Sequence, residues 1–435
     1  MNKTKLEKYL YNFFICILFL IATFGRPFTG LIIFGFRLGE ILVGLGTATL
    51  LVHLFKLKEN SQLRGIIIPH AILFLVFFFY LVFDSFENFS TYSFKASSFI
   101  WMISYVYIGF SISKIKNINK IFPYFTIPLT LGFIFSFYSY PNIFIQFFSN
   151  YSDKFDFPKG SDLLLLLILS NYLLRNYFRN KDLYFYYFFI SFSIFIPGLL
   201  FKSKGAFLPA VLWVLVEIIL QRKYLLKHYI KTTLLIIVSS LLFISSTLFI
   251  WGNLDFFKIV EEPEIEITEV ISESLTNNIE KNKTNEIFYS LYIQDNRLYS
   301  TNITANWRLQ IWQDVYNDLI DENKILFGYG YFEIIPAMDM VERRGTDGTN
   351  ENVHNFAVNI LARSGLIGLS IYMYLIYKLI LMYFKKHNNY QIIHFIFPVL
   401  LTSFFDSSLE SVRFPIIFYT FIGLIIGLEN KYNNT

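Results

Sequence analysis

The sequence predicts an all-α membrane protein, a polytopic transmembrane helix bundle of about 12 spans with a large, partly helical outer loop between spans 9 and 10. Of its 435 residues, 54% are hydrophobic and 16% are charged, whereas a soluble domain has roughly 25% charged residues. Apolar runs of nearly spanning length recur along the chain, and Lys and Arg gather in alternate connections. These observations exclude a soluble enzyme, a disordered chain and a collagen-like fibre.

The apolar runs define the candidate spans. They lie near 9–25, 29–54, 65–83, 97–112, 121–139, 161–175, 183–201, 205–220, 232–251, 356–384, 391–405 and 412–428. The first run follows Lys3, Lys5 and Lys8 and resembles a signal peptide, but no small-residue cleavage site follows it. We therefore expect an uncleaved first span.

The basic residues predict the orientation. With the N-terminus inside, the cytoplasmic segments hold nineteen Lys and Arg residues and the short outer loops hold seven, which is the bias expected of cytoplasmic loops. We expect a multi-pass protein of the cytoplasmic membrane with both termini cytoplasmic. The chain then divides into helices 1–9 at 1–251, an outer loop at 252–355 and helices 10–12 at 356–435.

The outer loop differs from the rest of the chain. Residues 252–353 carry eight basic and nineteen acidic residues. An acidic tract at 261–266 lacks the Asp and Gly spacing of a calcium loop. From 305 to 320, apolar residues recur with the spacing of an amphipathic helix, which we expect to rest against the membrane or the top of the bundle. Gly328-Tyr329-Gly330 then predicts a turn, and 345–350 is polar.

His354 is the one histidine that this orientation places on the outer face, immediately before the tenth span. That span runs inwards, so its N-terminus faces out and favours an anion. The same positive helix end keeps a nearby imidazole neutral and able to accept a proton. The alternative is an ordinary polar residue at a helix boundary.

Three outer cations complete an anion pocket. Lys202 and Lys204 flank the outward-facing start of the eighth span, and Arg308 lies on the amphipathic helix. A pyrophosphate suits helix N-termini and a guanidinium fork. The alternative for the lysines is that they extend to lipid headgroups.

Other features are weaker. Arg37 and Glu40 form a candidate intramembrane pair in the second span, either functional or merely fixing helix packing. Gly365 and Gly368 indicate a close helix contact. Asp406, Glu410 and Arg413 lie on the last outer loop, which we expect to be solvated; the alternative is that they touch a sugar. Cys16 is the only cysteine, and Walker A, HExxH and CxxC motifs are absent. We expect no metal, no cofactor and no nucleic-acid partner.

Four short motifs occur in order between about 200 and 370. They are Ser203-Lys204-Gly205, Trp307-Arg308-Leu309-Gln310-Ile311-Trp312, Phe327-Gly328-Tyr329-Gly330, and His354-Asn355 followed by Ala362-Arg363-Ser364-Gly365-Leu366-Ile367-Gly368-Leu369. This set resembles the O-antigen ligase and O-antigen polymerase superfamily, whose motifs lie in and after a large periplasmic loop. Lys204 stands where that family usually has Arg. Arg363 stands where an acidic residue is common in that family.

The resemblance implies a metal-independent membrane glycosyltransferase that uses an undecaprenyl-pyrophosphate-linked oligosaccharide as donor on the periplasmic face of the inner membrane. His354 and Arg308 are then the expected catalytic residues, and Lys204, Lys202, Arg308 and Asn355 the expected pyrophosphate ligands. We expect a polysaccharide polymerase. The alternatives are an O-antigen ligase that acts on lipid A-core or protein, and a lipid-linked oligosaccharide flippase with Arg37 and Glu40 as coupling charges. Besides the lipid bilayer, expected partners are a chain-length regulator and a flippase of the same pathway.

Overall fold

A computed structural model describes residues 3–56, 62–83, 91–178, 180–251, 291–343 and 351–428. The acidic tract at 261–266 and the polar loop at 345–350 lie outside these ranges. The described residues are mostly helical.

The α-helices are α1 (Lys3–Phe24), α2 (Arg26–Thr29), α3 (Leu38–Phe55), α4 (Arg64–Phe83), α5 (Thr91–Ala96), α6 (Ser98–Met102), α7 (Tyr105–Ile112), α8 (Thr126–Tyr138), α9 (Asn142–Tyr151), α10 (Gly160–Tyr177), α11 (Lys181–Lys202), α12 (Lys204–Lys227), α13 (Tyr229–Trp251), α14 (Ile303–Asp321), α15 (Phe356–His387), α16 (Ile393–Ser403) and α17 (Arg413–Gly427). A 3-10 helix, Ile118–Phe125, leads into α8. Shorter 3-10 turns occur at Pro336–Met338, Val341–Arg343 and Ser408–Glu410.

Two short hairpins supplement the helices. Strands β1 (Ile32–Ile33) and β2 (Phe36–Arg37) pair antiparallel, as do β3 (Leu291–Gln294) and β4 (Arg297–Ser300). Asp295 and Asn296 link the second pair with φ of 48° and 61°, which suits the two-residue turns that match strand twist.

Helical structure occurs in each of the twelve predicted segments. Seven of the described helices are long and apolar enough to cross a membrane: Leu38–Phe55, Arg64–Val82, Ile118–Tyr138, Asp182–Lys202, Lys204–Lys227, Tyr229–Trp251 and Phe356–His387. Four shorter apolar helices accompany them, at Tyr9–Phe24, Ser98–Ile112, Ile393–Ser403 and Arg413–Gly427. The chain is therefore a helical membrane protein, and the count of twelve spans stays a prediction.

The second predicted span, 29–54, is too long at its start. The β1–β2 hairpin occupies its first third, and α3 begins only at Leu38. Gly35 in the hairpin turn has a φ of 82°, a conformation that suits glycine and interrupts the helix. The correction matters because it places Arg37 and Glu40 at the beginning of α3 rather than within it.

The described chain forms two compact units. The first draws on residues 1–67, 98–260 and 376–435. In it α7 and α17 cross closely at two glycines: a Cβ atom on Gly109 would lie 1.8 Å from the carbonyl oxygen of Thr420, and one on Gly423 would lie 1.9 Å from that of Val106. Small residues allow such backbone approach between helices in a membrane.

Buried charges also hold the first unit together. Glu217 of α12 is fully buried and accepts hydrogen bonds from Arg175 of α10 at 3.1 and 3.2 Å. Arg413, expected on a solvated loop, is instead 8% exposed, and its Nε lies 3.1 Å from both carboxylate oxygens of Asp162. The expectation failed because the start of α17 packs against the start of α10, where Asp162 supplies the counter-charge.

The second unit draws on residues 68–97 and 261–375. Its core forms around α14, where Ile311, Val315 and Leu319 are fully buried. They pack with Ile335, Ala337, Met338, Val353 and Ala362. The predicted amphipathic helix is confirmed, but its apolar stripe is covered by the protein's own loop and the start of α15. Tyr316 and Ile320, also assigned to the stripe, are about half exposed.

Candidate functional site

His354 lies in the second unit, two residues before α15 begins at Phe356. Its φ is 53°, a left-handed conformation that costs a residue other than glycine about 1–2 kcal/mol and that is concentrated at functional sites. The imidazole packs edge-on against the indole of Trp307, with ring centroids 5.2 Å apart and planes inclined at 61°. A half-buried ring is thus held in one place by α14.

Asn355 caps the helix that follows His354. Its side chain is 4% exposed, and its Oδ1 accepts hydrogen bonds from the backbone N–H groups of Ala357 (3.0 Å) and Val358 (3.1 Å). The side-chain oxygen therefore satisfies two of the amides that the start of a helix leaves without a partner. The arrangement fixes the backbone next to His354.

Arg308 is the neighbour of Trp307 on α14, so it lies one residue from the ring that contacts His354. Hydrogen bonds on both sides of Trp307 along the chain hold α14 in place. Asn302 caps its start, accepting from Ala305 N at 2.9 Å. Farther along, Trp312 donates from Nε1 to the carbonyl oxygen of Val353 at 2.7 Å. The structure thereby brings the segments that carry Arg308, His354 and Asn355 together.

A salt bridge ties the same segment to α5. The ammonium of Lys95 lies 2.7 Å from a carboxylate oxygen of Glu351, three residues before His354. The lysine is about half exposed and the glutamate partly buried. Lys95 is one of the seven basic residues of the short outer loops, and nothing in the sequence links residue 95 to residue 351.

The Gly328-Tyr329-Gly330 turn runs against a break in α15. Gly328, Gly330 and Gly365 have φ of 82°, 84° and 63°, and the helix is interrupted at Gly365. A Cβ atom on Gly365 would lie 2.2 Å from the carbonyl of Leu326. Gly365 thus makes a close contact, as predicted, but with this loop instead of with another helix.

Tyr329 and Tyr331 flank the second glycine of this turn and stay protonated. Burial, and next the charge of Glu322, raises the pKa of Tyr329, whose hydroxyl donates to a Glu322 carboxylate oxygen at 3.2 Å. Burial raises the pKa of Tyr331 as well. Both side chains are therefore neutral phenols, and that of Tyr331 is fully buried.

Lys202 and Lys204 lie in the first unit, where α11 ends and α12 begins. Ser203 between them caps α12, its hydroxyl accepting from Ala206 N at 3.3 Å. Lys204 is exposed, whereas Lys202 is partly buried with its ammonium 5.4 Å from the centre of the Phe137 ring. Both flank a helix N-terminus, as the sequence predicts. Their role as pyrophosphate ligands stays a prediction.

Arg37 and Glu40 also lie in the first unit. Their side chains approach to 3.7 Å, and each is about half exposed. The Glu40 carboxylate also accepts from the backbone N–H of Arg37 at 3.0 Å, and Arg37 binds Asp153. The pair therefore caps α3 and joins it to the segment after α9, and its predicted functional role remains untested.

The described part of the chain has no group of three or more His, Cys, Asp or Glu residues placed to hold a metal ion. What it presents is a helical membrane protein with a histidine, an arginine and an indole gathered where a long loop returns to a spanning helix. The sequence-predicted residues Arg308, His354 and Asn355 thus lie on neighbouring segments of one unit.

The sequence pattern of a protein family described as O-antigen ligase matches residues 163–373, just under half of the chain. Residues 163–373 therefore match a domain of the O-antigen ligase family, and the resemblance seen in the motifs is confirmed. The family implies an enzyme of the glycosyltransferase type. No curated protein matches the chain.

Proposed function

We propose that this protein is a polysaccharide polymerase that joins O-antigen-like repeat units on the periplasmic face of the inner membrane. The donor is an undecaprenyl-pyrophosphate-linked glycan, and the acceptor is a sugar hydroxyl of another repeat unit. The contact between Trp307 and His354 supports the proposal, because it brings the helix that carries Arg308 next to the His354 segment within the family-matched domain.

The chemistry is a single displacement. The acceptor oxygen forms a bond to the anomeric carbon while the bond from that carbon to the pyrophosphate oxygen breaks. The acceptor proton leaves to a base, and the lipid pyrophosphate departs with the bonding electrons. Arg308 stabilises the charge that gathers on the departing group, and Lys202, Lys204 and Asn355 are its further proposed ligands. His354 either takes the proton or binds the phosphate.

Two alternatives use the same features differently. A ligase would transfer the finished glycan to lipid A-core or protein, and it needs the same donor chemistry. A flippase would use Arg37 and Glu40 as coupling charges, but these residues cap α3 at its start and are about half exposed. The enzyme is favoured over the flippase because the His354 site includes a potential base.

The first prediction concerns His354→Ala and Arg308→Ala in a strain that depends on this protein for long-chain polysaccharide. Each variant should reach the membrane normally and lose the polymer ladder, since removing a base or an anion-stabilising donor costs roughly 100-fold or more in rate. Gel analysis of the glycan and immunoblotting of membranes measure the two outcomes.

Lys324→Ala is the matched control. Lys324 is a cation of the same loop that is not one of the proposed site residues, and its ammonium pairs with Glu322 at 2.8 Å. It should keep the ladder. Wild-type ladders from both site variants would overturn the proposed site. In a deletion strain, a single repeat on lipid A-core indicates a polymerase, whereas bare lipid A-core with polymer left on its carrier indicates a ligase.

A further inference from the structure

The break in α15 at Gly365 is closed by the loop that contains the Gly-Tyr-Gly turn. In an unbroken helix, Leu366 N–H would donate to the carbonyl of Ala362, and Ile367 N–H to that of Arg363. At the break, all four groups instead form hydrogen bonds with the backbone of residues 325–330. The pairs are Leu366 N to Ile325 O (2.9 Å), Ile367 N to Leu326 O (3.2 Å), Tyr329 N to Ala362 O (2.7 Å) and Gly330 N to Arg363 O (2.9 Å).

The side chain of Arg363 grips the same loop. It is 2% exposed, and its Nη1 donates to the carbonyl oxygens of Gly330, at 3.4 Å, and Glu333. Its Nη2 donates to the Tyr92 hydroxyl, and the guanidinium lies 5.1 Å from the centre of the Tyr92 ring. Carbonyl oxygens and an aromatic face thus surround a charge that is costly to bury.

These contacts isolate a short rigid helix, residues 356–364. Asn355 caps one end, next to His354, and Arg363 lies at the other. The backbone is non-helical at Gly365, so the loop and the guanidinium hold this segment where a continuous helix would otherwise do so. A rigid segment of nine residues is about 13 Å long, and fixing one end fixes the other.

We propose that Arg363 is a positioning residue for His354. By clamping the loop onto the far end of residues 356–364, it sets where the imidazole stands for the transfer step. This inference rests on the proposed function, since it assumes that His354 takes part in the reaction. A displacement of about 1 Å in such a group can cost about 100-fold in rate.

The test compares purified full-length variants in liposomes supplied with a lipid-linked repeat unit. Arg363→Gln removes the clamp, and Tyr92→Phe removes one hydroxyl partner and guards against a folding failure of the first variant. We expect kcat to fall about 10- to 100-fold in Arg363→Gln and less in Tyr92→Phe, with KM for the donor within about twofold of wild type. Backbone amides at 325–330 and 356–364 should exchange hydrogen faster.

Arg343→Gln is the control for the general effect of replacing an arginine in this unit of the protein. Arg343 donates to the carbonyl of Ala337 and pairs with Asp314, which keeps Arg297 as a second partner. It should keep wild-type kcat and leave exchange at 356–364 unchanged. An Arg363→Gln protein with wild-type kcat overturns the positioning role, and so does one that loses kcat without faster exchange at 356–364. A wild-type protein that elongates nothing counts against the proposed function, whereas the exchange comparison still tests the clamp.

Discussion

At the residue scale, the site around His354 depends both on which residues are present and on the conformation of their backbone. The residue types at 354 and 355 are visible in the sequence, but the left-handed backbone of His354 and the cap made by Asn355 are not. Both features depend on the path of the backbone before α15, which residue types alone do not determine. The cap also means that Ala357 and Val358 already have an acceptor for their amides, so an anion here meets the dipole of the helix with two fewer open N–H groups.

Asn355 can be tested for its two assigned roles separately. Asn355→Ala should lower the free energy of unfolding by about 1 kcal/mol, because it removes the cap. Asn355→Asp keeps a capping oxygen and should retain thermal stability, yet raise KM for the lipid-linked donor at least about tenfold, since a carboxylate would face a pyrophosphate. Thermal unfolding in detergent and initial rates measure the two effects. Unchanged KM in Asn355→Asp would limit Asn355 to capping.

At the element scale, hydropathy predicts the helices well and their breaks poorly. Each predicted span contains helix, because apolar length is a local property of the sequence. The hairpin before α3 and the interruption at Gly365 depend on partners distant in sequence. The Gly-Tyr-Gly motif and Gly365 were both visible, but their pairing was not, since a turn motif does not identify the backbone that it will meet.

The close contact between Gly365 and the loop predicts that one added methyl group at position 365 destabilises the protein. Gly365→Ala should destabilise the protein by more than about 2 kcal/mol, because alanine resists the left-handed conformation and its Cβ would overlap the Leu326 carbonyl at 2.2 Å. Gly44→Ala is the matched control: Gly44 lies inside α3 with no heavy atom within 4 Å of a Cβ, so alanine should raise stability by roughly 0.5–1 kcal/mol. Melting temperatures of the purified variants compare the two. Equal effects would show that the break tolerates a side chain.

At the scale of the whole molecule, the sequence predicts the kind of protein and most of the candidate site, but not the buried charge network. The sequence predicts a membrane enzyme from its twelve apolar segments and from the motifs around Arg308 and His354. The match to the O-antigen ligase family confirms the resemblance that these motifs indicate. The sequence does not predict the pair of Glu217 and Arg175, because the two residues lie 42 positions apart on different helices. Arg175 is one of the nineteen basic residues of the predicted cytoplasmic segments, and a single glutamate in an apolar run does not indicate which residue it will pair with.

The network around Glu217 yields the last prediction. Its carboxylate binds Arg175 of α10, His394 of α16 (3.1 Å) and Tyr184 of α11 (3.4 Å), so one buried group joins four helices. Arg175→Met should cost about 3–5 kcal/mol, because it leaves a fully buried carboxylate without its cation. Adding Glu217→Leu should recover much of that loss, since the desolvation cost disappears with the charge. Thermal unfolding in one detergent ranks the variants, and a double variant no more stable than Arg175→Met would show that His394 and Tyr184 alone keep the glutamate satisfied.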